Sequence, residues 1–168
     1  PTKFQYLATA NNSTRVCAVF HTSKIKTFKD AYTQEAIISA SAEGGSTRDY
    51  AYLHKKTSHV NFRIISGYHG TPSAMLAMER GEVAGRNNTW SSWKVTKPNW
   101  LANKDITVIV QAGPKAPDLP NVPSIEDVIP DPDNRKIVEL LVSGTLLGRP
   151  LATTPGVPAE RVKALRDA

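Results

Sequence analysis

The sequence holds one cysteine, Cys17, among 168 residues. That excludes an internal disulfide and a metal site built from several thiolates. Its setting in the apolar run of residues 16–20 reads as a small buried hydrophobe. No apolar run approaches the roughly 20 residues that a membrane-spanning helix requires. The four histidines, His21, His54, His59 and His69, show no HxxxH or HExxH spacing, and His54 and His59 would diverge on one helix. Each reads as a surface or turn residue. The sequence also lacks a GxSxG nucleophile elbow, a phosphate loop ending in Gly-Lys-Ser/Thr and the GxGxxG spacing of dinucleotide folds. Glu79 and Glu82 flank a helix stop, where solvated carboxylates are the simpler reading. These absences predict a protein that is not an enzyme and that uses no metal and no cofactor.

Charge is present without concentration. The net charge is +6, but the densest groups (Lys24, Lys26 and Lys29; Lys55 and Lys56) are short and interrupted. Nucleic-acid binders gather their charge along one face, so no nucleic-acid partner is expected. A diffuse positive potential would equally draw a small carboxylate.

A hydrophobic fraction of 40 % is ample for a folded core, in one domain or in one lobe with pieces of another. Residues 15–21 and 106–111 are β-branched apolar runs that read as buried strands, and residues 36–40 read as another. Thr27 with Asp30 suggests a capped helix start. Six prolines between Pro114 and Pro132 force an extended, turn-rich path. Ser124 is expected to cap a short helix through Val128. Residues 135–142 carry helical apolar spacing, and residues 143–150 read as a strand or crossing segment. Pro158 opens an amphipathic helix with Val162 and Leu165 on one face. The chain stops inside that helix, which reads as a cut within a domain. Alternating strands and helices predict an α/β sheet covered by helices on both faces.

Two glycine turns stand out. Residues 61–70 read as a strand entering Gly67-Tyr68-His69-Gly70, with Thr71 as N-cap, Pro72 at the first helical position, and Arg80 and Gly81 as the helix stop. Gly44 and Gly45 repeat the logic, with Ser46 or Thr47 capping a helix to about Thr57. A third polar turn is expected at residues 85–88, leading into a polar and aromatic segment without strand alternation. A strand feeding a glycine turn that opens a helix leaves amide N–H groups pointing one way, which is an anion site in outline. Local geometry alone leaves an ordinary strand–helix turn as the simpler alternative. In open α/β sheets such turns meet at the carboxyl ends of the strands.

Six segments, in order, carry a family resemblance: the turn at 44–47, GYHGT at 67–71, LAMERGEVAG at 76–85, VIVQAG at 108–113, PDLPNVPSIEDV at 117–128 and GRPLATTPGVPAERVKALRDA at 148–168. In these the chain resembles the extracytoplasmic solute receptors of tripartite tricarboxylate transporters, the TctC or Bug type. The resemblance implies a type II periplasmic-binding-protein-like α/β fold with a mixed, mostly parallel sheet flanked by helices. It implies capture of a small carboxylate (a di- or tricarboxylate, an aromatic acid or an amino acid) in the periplasm, and delivery to membrane permease subunits. Nothing here corresponds to the glycine-rich start of the family's first lobe. Residues 15–145 are therefore expected to form the second lobe, with 1–14 and 146–168 as hinge and ends of the first. Expected ligand-binding residues are Gly44, Gly45, Ser46, Thr47, Tyr68, Gly70, Thr71, Arg86 and Asn87. One departure is Ala84, where the family usually has aspartate. Sensing for a signalling partner and, further off, an α/β-hydrolase activity are the alternative readings. Exposed apolar strand edges make a homodimer a further expectation.

Overall fold

The computed structural model describes residues 3–10 and 13–168. Pro1, Thr2, Asn11 and Asn12, part of the expected first-lobe segment, lie outside the described residues. In chain order the elements are β1 (Gln5–Thr9), β2 (Arg15–Phe20), α1 (Asp30–Thr33), β3 (Ala36–Ser39), α2 (Ser46–Ser58), β4 (Phe62–Ile65), α3 (Gly70–Glu79) and β5 (Gly85–Thr89). They continue with α4 (Trp90–Thr96), α5 (Pro98–Ala102), β6 (Ile106–Ala112), α6 (Ile125–Val128), α7 (Pro132–Leu147), β7 (Pro150–Thr153) and α8 (Ala159–Asp167).

Five strands form one sheet in the order β4-β3-β5-β2-β6. β3 is parallel to β4 and β5, while β2 is antiparallel to β5 and β6. Four strands thus run one way and β2 opposes them, the mixed, mostly parallel sheet expected. Period-two alternation distributes β2 between two cores. Cys17 and Val19 face Phe28, Ile38, Phe62, Ile109 and Val138, under α2, α6 and α7. Val16, Ala18 and Phe20 face Met75, Met78, Trp93 and Trp100, under α3, α4 and α5. A strand covered on both faces reads as a continuous apolar run, which is why β2 was legible. Cys17 is fully buried as expected, and that burial pushes its thiol up to about 12.

β5 departs from this pattern and corrects the expectation of a turn at residues 85–88. Gly-Arg-Asn-Asn-Thr is a central strand, buried along its whole length although four of its five residues are polar. A Cβ on Gly85 would run into the Ala18 carbonyl of β2 and approach Val19 Cα to 3.0 Å. Only glycine allows the two backbones to pair so closely. The second correction is α7. Residues 143–147 continue the helix instead of forming a strand, with Ser143 Oγ donating back to the Leu140 carbonyl and Thr145 Oγ1 to that of Val142. The strand follows only at residue 150.

β1 and β7 pair antiparallel in a separate two-stranded ribbon, with α8 packed against β1. Val162 of α8 is buried, whereas Leu165 is exposed, so the expected two-residue apolar face is half used. α7 likewise presents Ile137, Leu140 and Leu141 to solvent.

Two glycine substitutions separate close packing from backbone freedom. Gly85→Ala is expected to cost about 1–3 kcal/mol or more through overpacking in the sheet. Gly144→Ala, in α7 where an added Cβ meets nothing within 4 Å, should gain about 0.5–1 kcal/mol. Urea unfolding of both variants checks the contrast, and equal midpoints would contradict it.

Candidate functional site

β3 and β4 run parallel, so their carboxyl ends and the helices that follow open on the same edge of the sheet. The β3 loop rises to Gly45, the N-cap of α2, and the β4 loop to His69, the N-cap of α3. Neither start carries a side-chain cap, which corrects the expected roles of Ser46, Thr47 and Thr71. The Thr47 hydroxyl is used across the loop instead: Oγ1 accepts from the Ser41 amide at 2.9 Å and donates to Ser41 Oγ at 2.8 Å. Helix α3 begins at Gly70, one residue before Thr71, with Gly67 (φ +102°) and Gly70 (φ +79°) both in the left-handed region that favours glycine. Uncapped N-termini leave first-turn amides without intrahelical acceptors and place the positive ends of two helix dipoles at this edge.

A cavity of about 170 Å³ lies between these loops. Ser39, Ala40, Ser41 and Thr47 wall one side; Tyr68, Gly70, Thr71 and Ala74 wall the other; Arg86 and Asn88 of β5 form the floor. Arg86 is only 4 % exposed. Its Nη1 donates to the Thr71 carbonyl at 3.1 Å, while its Nε is buried with no hydrogen-bond partner among the described residues. Burial pulls its pKa down to about 10, so it remains a cation at neutral pH. Asn88 spends Oδ1 on the Thr89 amide at 3.0 Å, and its Nδ2 is likewise buried without a partner among the described residues. The lining offers a guanidinium, a carboxamide N–H and hydroxyls, and contains no carboxylate. Burial, and secondarily Glu82, pushes the Tyr68 phenol up, which keeps it a neutral donor. Chemically such a set of donors around one cation can accommodate an anion.

The expected residues divide by position. Thr47, Tyr68, Gly70, Thr71 and Arg86 come together in the cavity wall. Gly44 is exposed on the loop, and Gly45 and Ser46 stand beside the cavity rather than in it. Ser46 Oγ accepts from Arg15 Nη1 at 2.9 Å. Arg15 has its Nε buried without a partner among the described residues and its Cζ 5.4 Å from the Tyr50 ring centroid. It places a second cation at the start of α2. Sequence reading passed over Arg15, Ser39 and Ser41, and held Asn88 only as the end of the expected third turn. Arg15 opens a buried apolar strand, the one signal that set it apart.

Asn87 points the other way. Strand alternation turns it into the opposite core, where Oδ1 accepts from His54 Nε2 at 3.2 Å. His54 is therefore a core residue, against the expectation of a surface or turn histidine. Its ring lies edge-on to Phe28 and Phe62. Among the described residues no group of three or more His, Cys, Asp or Glu could hold a metal ion, and no helix is long and apolar enough to cross a membrane.

No protein-family model matches the sequence, and no curated protein matches it. Solved structures do. The architecture is that of periplasmic-binding-protein-like α/β proteins. Among these, a TctC solute-binding protein from Polaromonas, solved without ligand, shares 15 % identity over 99 % of this chain and 54 % of its own, with a TM-score of 0.66. An R. palustris protein solved with adipate shares 18 % over 97 % and 52 %, TM-score 0.66. MatC from Rhodopseudomonas palustris, solved with bound malate, shares 16 % over 96 % and 52 %, TM-score 0.60. The chain thus has the fold of TctC-type solute-binding proteins and spans about half the length of these solved chains.

Burial lowers the His54 pKa to about 4 from its ordinary 6.5. Between those values the unfolded chain takes up a proton that the folded chain excludes. Stability should therefore fall by about 3 kcal/mol as pH drops from 6.5 to 4, and His54 should add nothing outside that window. The lowered carboxylates Asp30, Asp118 and Asp127 act below their ordinary 3.8, so the windows separate. Urea titrations at pH 7, 5.5 and 4 should show this loss in the native chain and a flattened profile in His54→Gln. An unchanged profile in the variant would refute the assignment.

Proposed function

We propose that this chain is part of an extracytoplasmic solute receptor of the tripartite tricarboxylate transporter type and forms one wall of a carboxylate-binding cleft. The observation that carries the reading is Arg86: a buried guanidinium whose Nε has no partner among the described residues, facing a cavity of donors beside two uncapped helix N-termini. A volume of about 170 Å³ suits a carboxylate head rather than a whole ligand, since pockets that enclose one run to roughly 300–1,000 Å³. The rest of the ligand would be held by a facing lobe. Solved proteins of the same fold supply support, two of them determined with the dicarboxylates adipate and malate.

In this reading residues 15–145 are the second lobe, and 1–14 with 146–168 are hinge and first-lobe ends. The separate β1–β7 ribbon supports that division, although α7 carries the second lobe to Leu147. The receptor works in the periplasm, closes on a small carboxylate by lobe movement and presents it to membrane permease subunits. Ala84, in place of the family's usual aspartate, is half-buried against the core opposite the cavity, so in this chain it acts through packing.

Calorimetry of the purified chain against malate, adipate and benzoate tests the proposal. One wall alone should bind in the millimolar range, near 4 kcal/mol. Arg86→Ala should lose about tenfold or more, the share of a charge-assisted hydrogen bond, while Arg86→Lys retains part. Circular dichroism confirms that the variants fold. Micromolar binding indifferent to Arg86 would overturn the reading.

A further inference from the structure

A larger cavity than the Arg86 one lies elsewhere among the described residues. A groove of about 460 Å³ runs beside β6, at the edge of the sheet away from the Arg86 cavity. Its walls are apolar: Phe28 on one side, Val108 and Ile109 of β6 as floor, Val122 and Val128 on the other. The loop carrying Lys26 and Lys29 forms the near wall, with Lys24 exposed just before it.

The charge at this wall is uncompensated. Asp30, the nearest acid in sequence, turns its carboxylate into the loop, accepting from the Lys26 and Thr27 amides at 2.9 and 2.8 Å. Across the groove Asp127 is committed to Lys115 at 3.2 Å, and Glu126 to the Ser124 hydroxyl. Lys26 Nζ donates to the His21 carbonyl, a neutral partner, and Lys29 forms no ion pair among the described residues. An apolar slot with cations on one wall matches a ligand with an apolar body and a single anionic head.

An added β-strand fits less well. The Gln111 amide already donates to the Pro123 carbonyl at 2.9 Å, so the chain at residues 121–124 closes the edge of β6 at that end. Only residues 106–110 of the β6 edge lie beyond that bridge, no more than the length of a short strand.

We propose that this groove is a second binding site, independent of the Arg86 cavity, for an amphiphilic monocarboxylate of the aryl or medium-chain alkyl class. The carboxylate meets Lys26 and Lys29, and the hydrocarbon body lies over Val108, Ile109 and Val122.

The test is methyl-resolved NMR of the intact chain titrated with sodium octanoate. The Val108, Ile109, Val122 and Val128 methyl signals should shift with one dissociation constant. Malate, which lacks an apolar body, should leave them in place. Lys26→Glu combined with Lys29→Glu, both exposed, should weaken octanoate at least tenfold without altering the fold, and Val122→Trp should block it by filling the slot. 1-Octanol should bind at least tenfold more weakly than octanoate. Octanoate shifts confined to residues around Arg86, or an affinity indifferent to the double lysine change, would overturn the proposal. So would equal affinity for octanol, or shifts that follow protein concentration without octanoate, which would assign the groove to a second copy of the chain.

Discussion

A guanidinium buried in the middle of a sheet constrains everything around it. Arg86 sits on the central strand, 4 % exposed, with the Thr71 carbonyl as its hydrogen-bond partner. Removing a cation from water costs several kcal/mol even after relaxation. The usual remedy, a carboxylate at contact distance, is absent from the cavity lining. The neighbouring helix starts make matters worse for the cation, because both present the positive ends of their dipoles. Arg86 is held there by geometry. Gly85 lets β5 pair tightly with β2, β3 pairs with it in parallel from the other side, and Asn87 is pinned to His54 in the opposite core. With its neighbours on the strand fixed, the side chain of Arg86 has one face left to occupy.

Two strand-borne arginines meet at this edge of the sheet although the sequence has no dense cluster of basic residues there. Arg86 is the second residue of β5, and Arg15 opens β2 71 positions earlier. Antiparallel pairing of β2 with β5 brings the amino end of one to the carboxyl end of the other, and Arg15 stands opposite Thr89. Topology thus brings both cations and both helix starts to the same edge.

The same logic divides what the sequence disclosed from what it withheld. The apolar strands β2 and β6 and the glycine-led starts of α2 and α3 were legible, because burial on two faces and tight turns each demand particular residue types. The central strand was hidden for the opposite reason. Its polar residues are specified by the cavity on one face and by His54 on the other, so hydrophobic periodicity carries no trace of it. Thr71 and Ser46 looked like caps because hydroxyl residues near a helix start usually are. Here Thr47 closes its own loop onto Ser41 and leaves the helix amides open. His54 was misplaced because a lone histidine on a polar helix gives no sign of which face it occupies. The extent of α7 was missed because Ser143, Gly144 and Thr145 are poor helix formers on local propensity. Val138, Val142 and Thr145 nonetheless hold the helix to the core through its last turns.

The distance in sequence from the solved proteins of this fold sharpens the point. At 15–18 % identity the fold is shared, with TM-scores of 0.60–0.66, because many apolar side chains can fill a core of given shape. Replacing Arg86 by an apolar residue would relieve its desolvation cost, as happens when buried ionic groups elsewhere give way to hydrophobes. A chain that only had to fold would gain by that replacement. A guanidinium whose Nε has no partner among the described residues, above a cavity of donors, is therefore a cost to the fold, of the kind that an anion at the proposed site would offset.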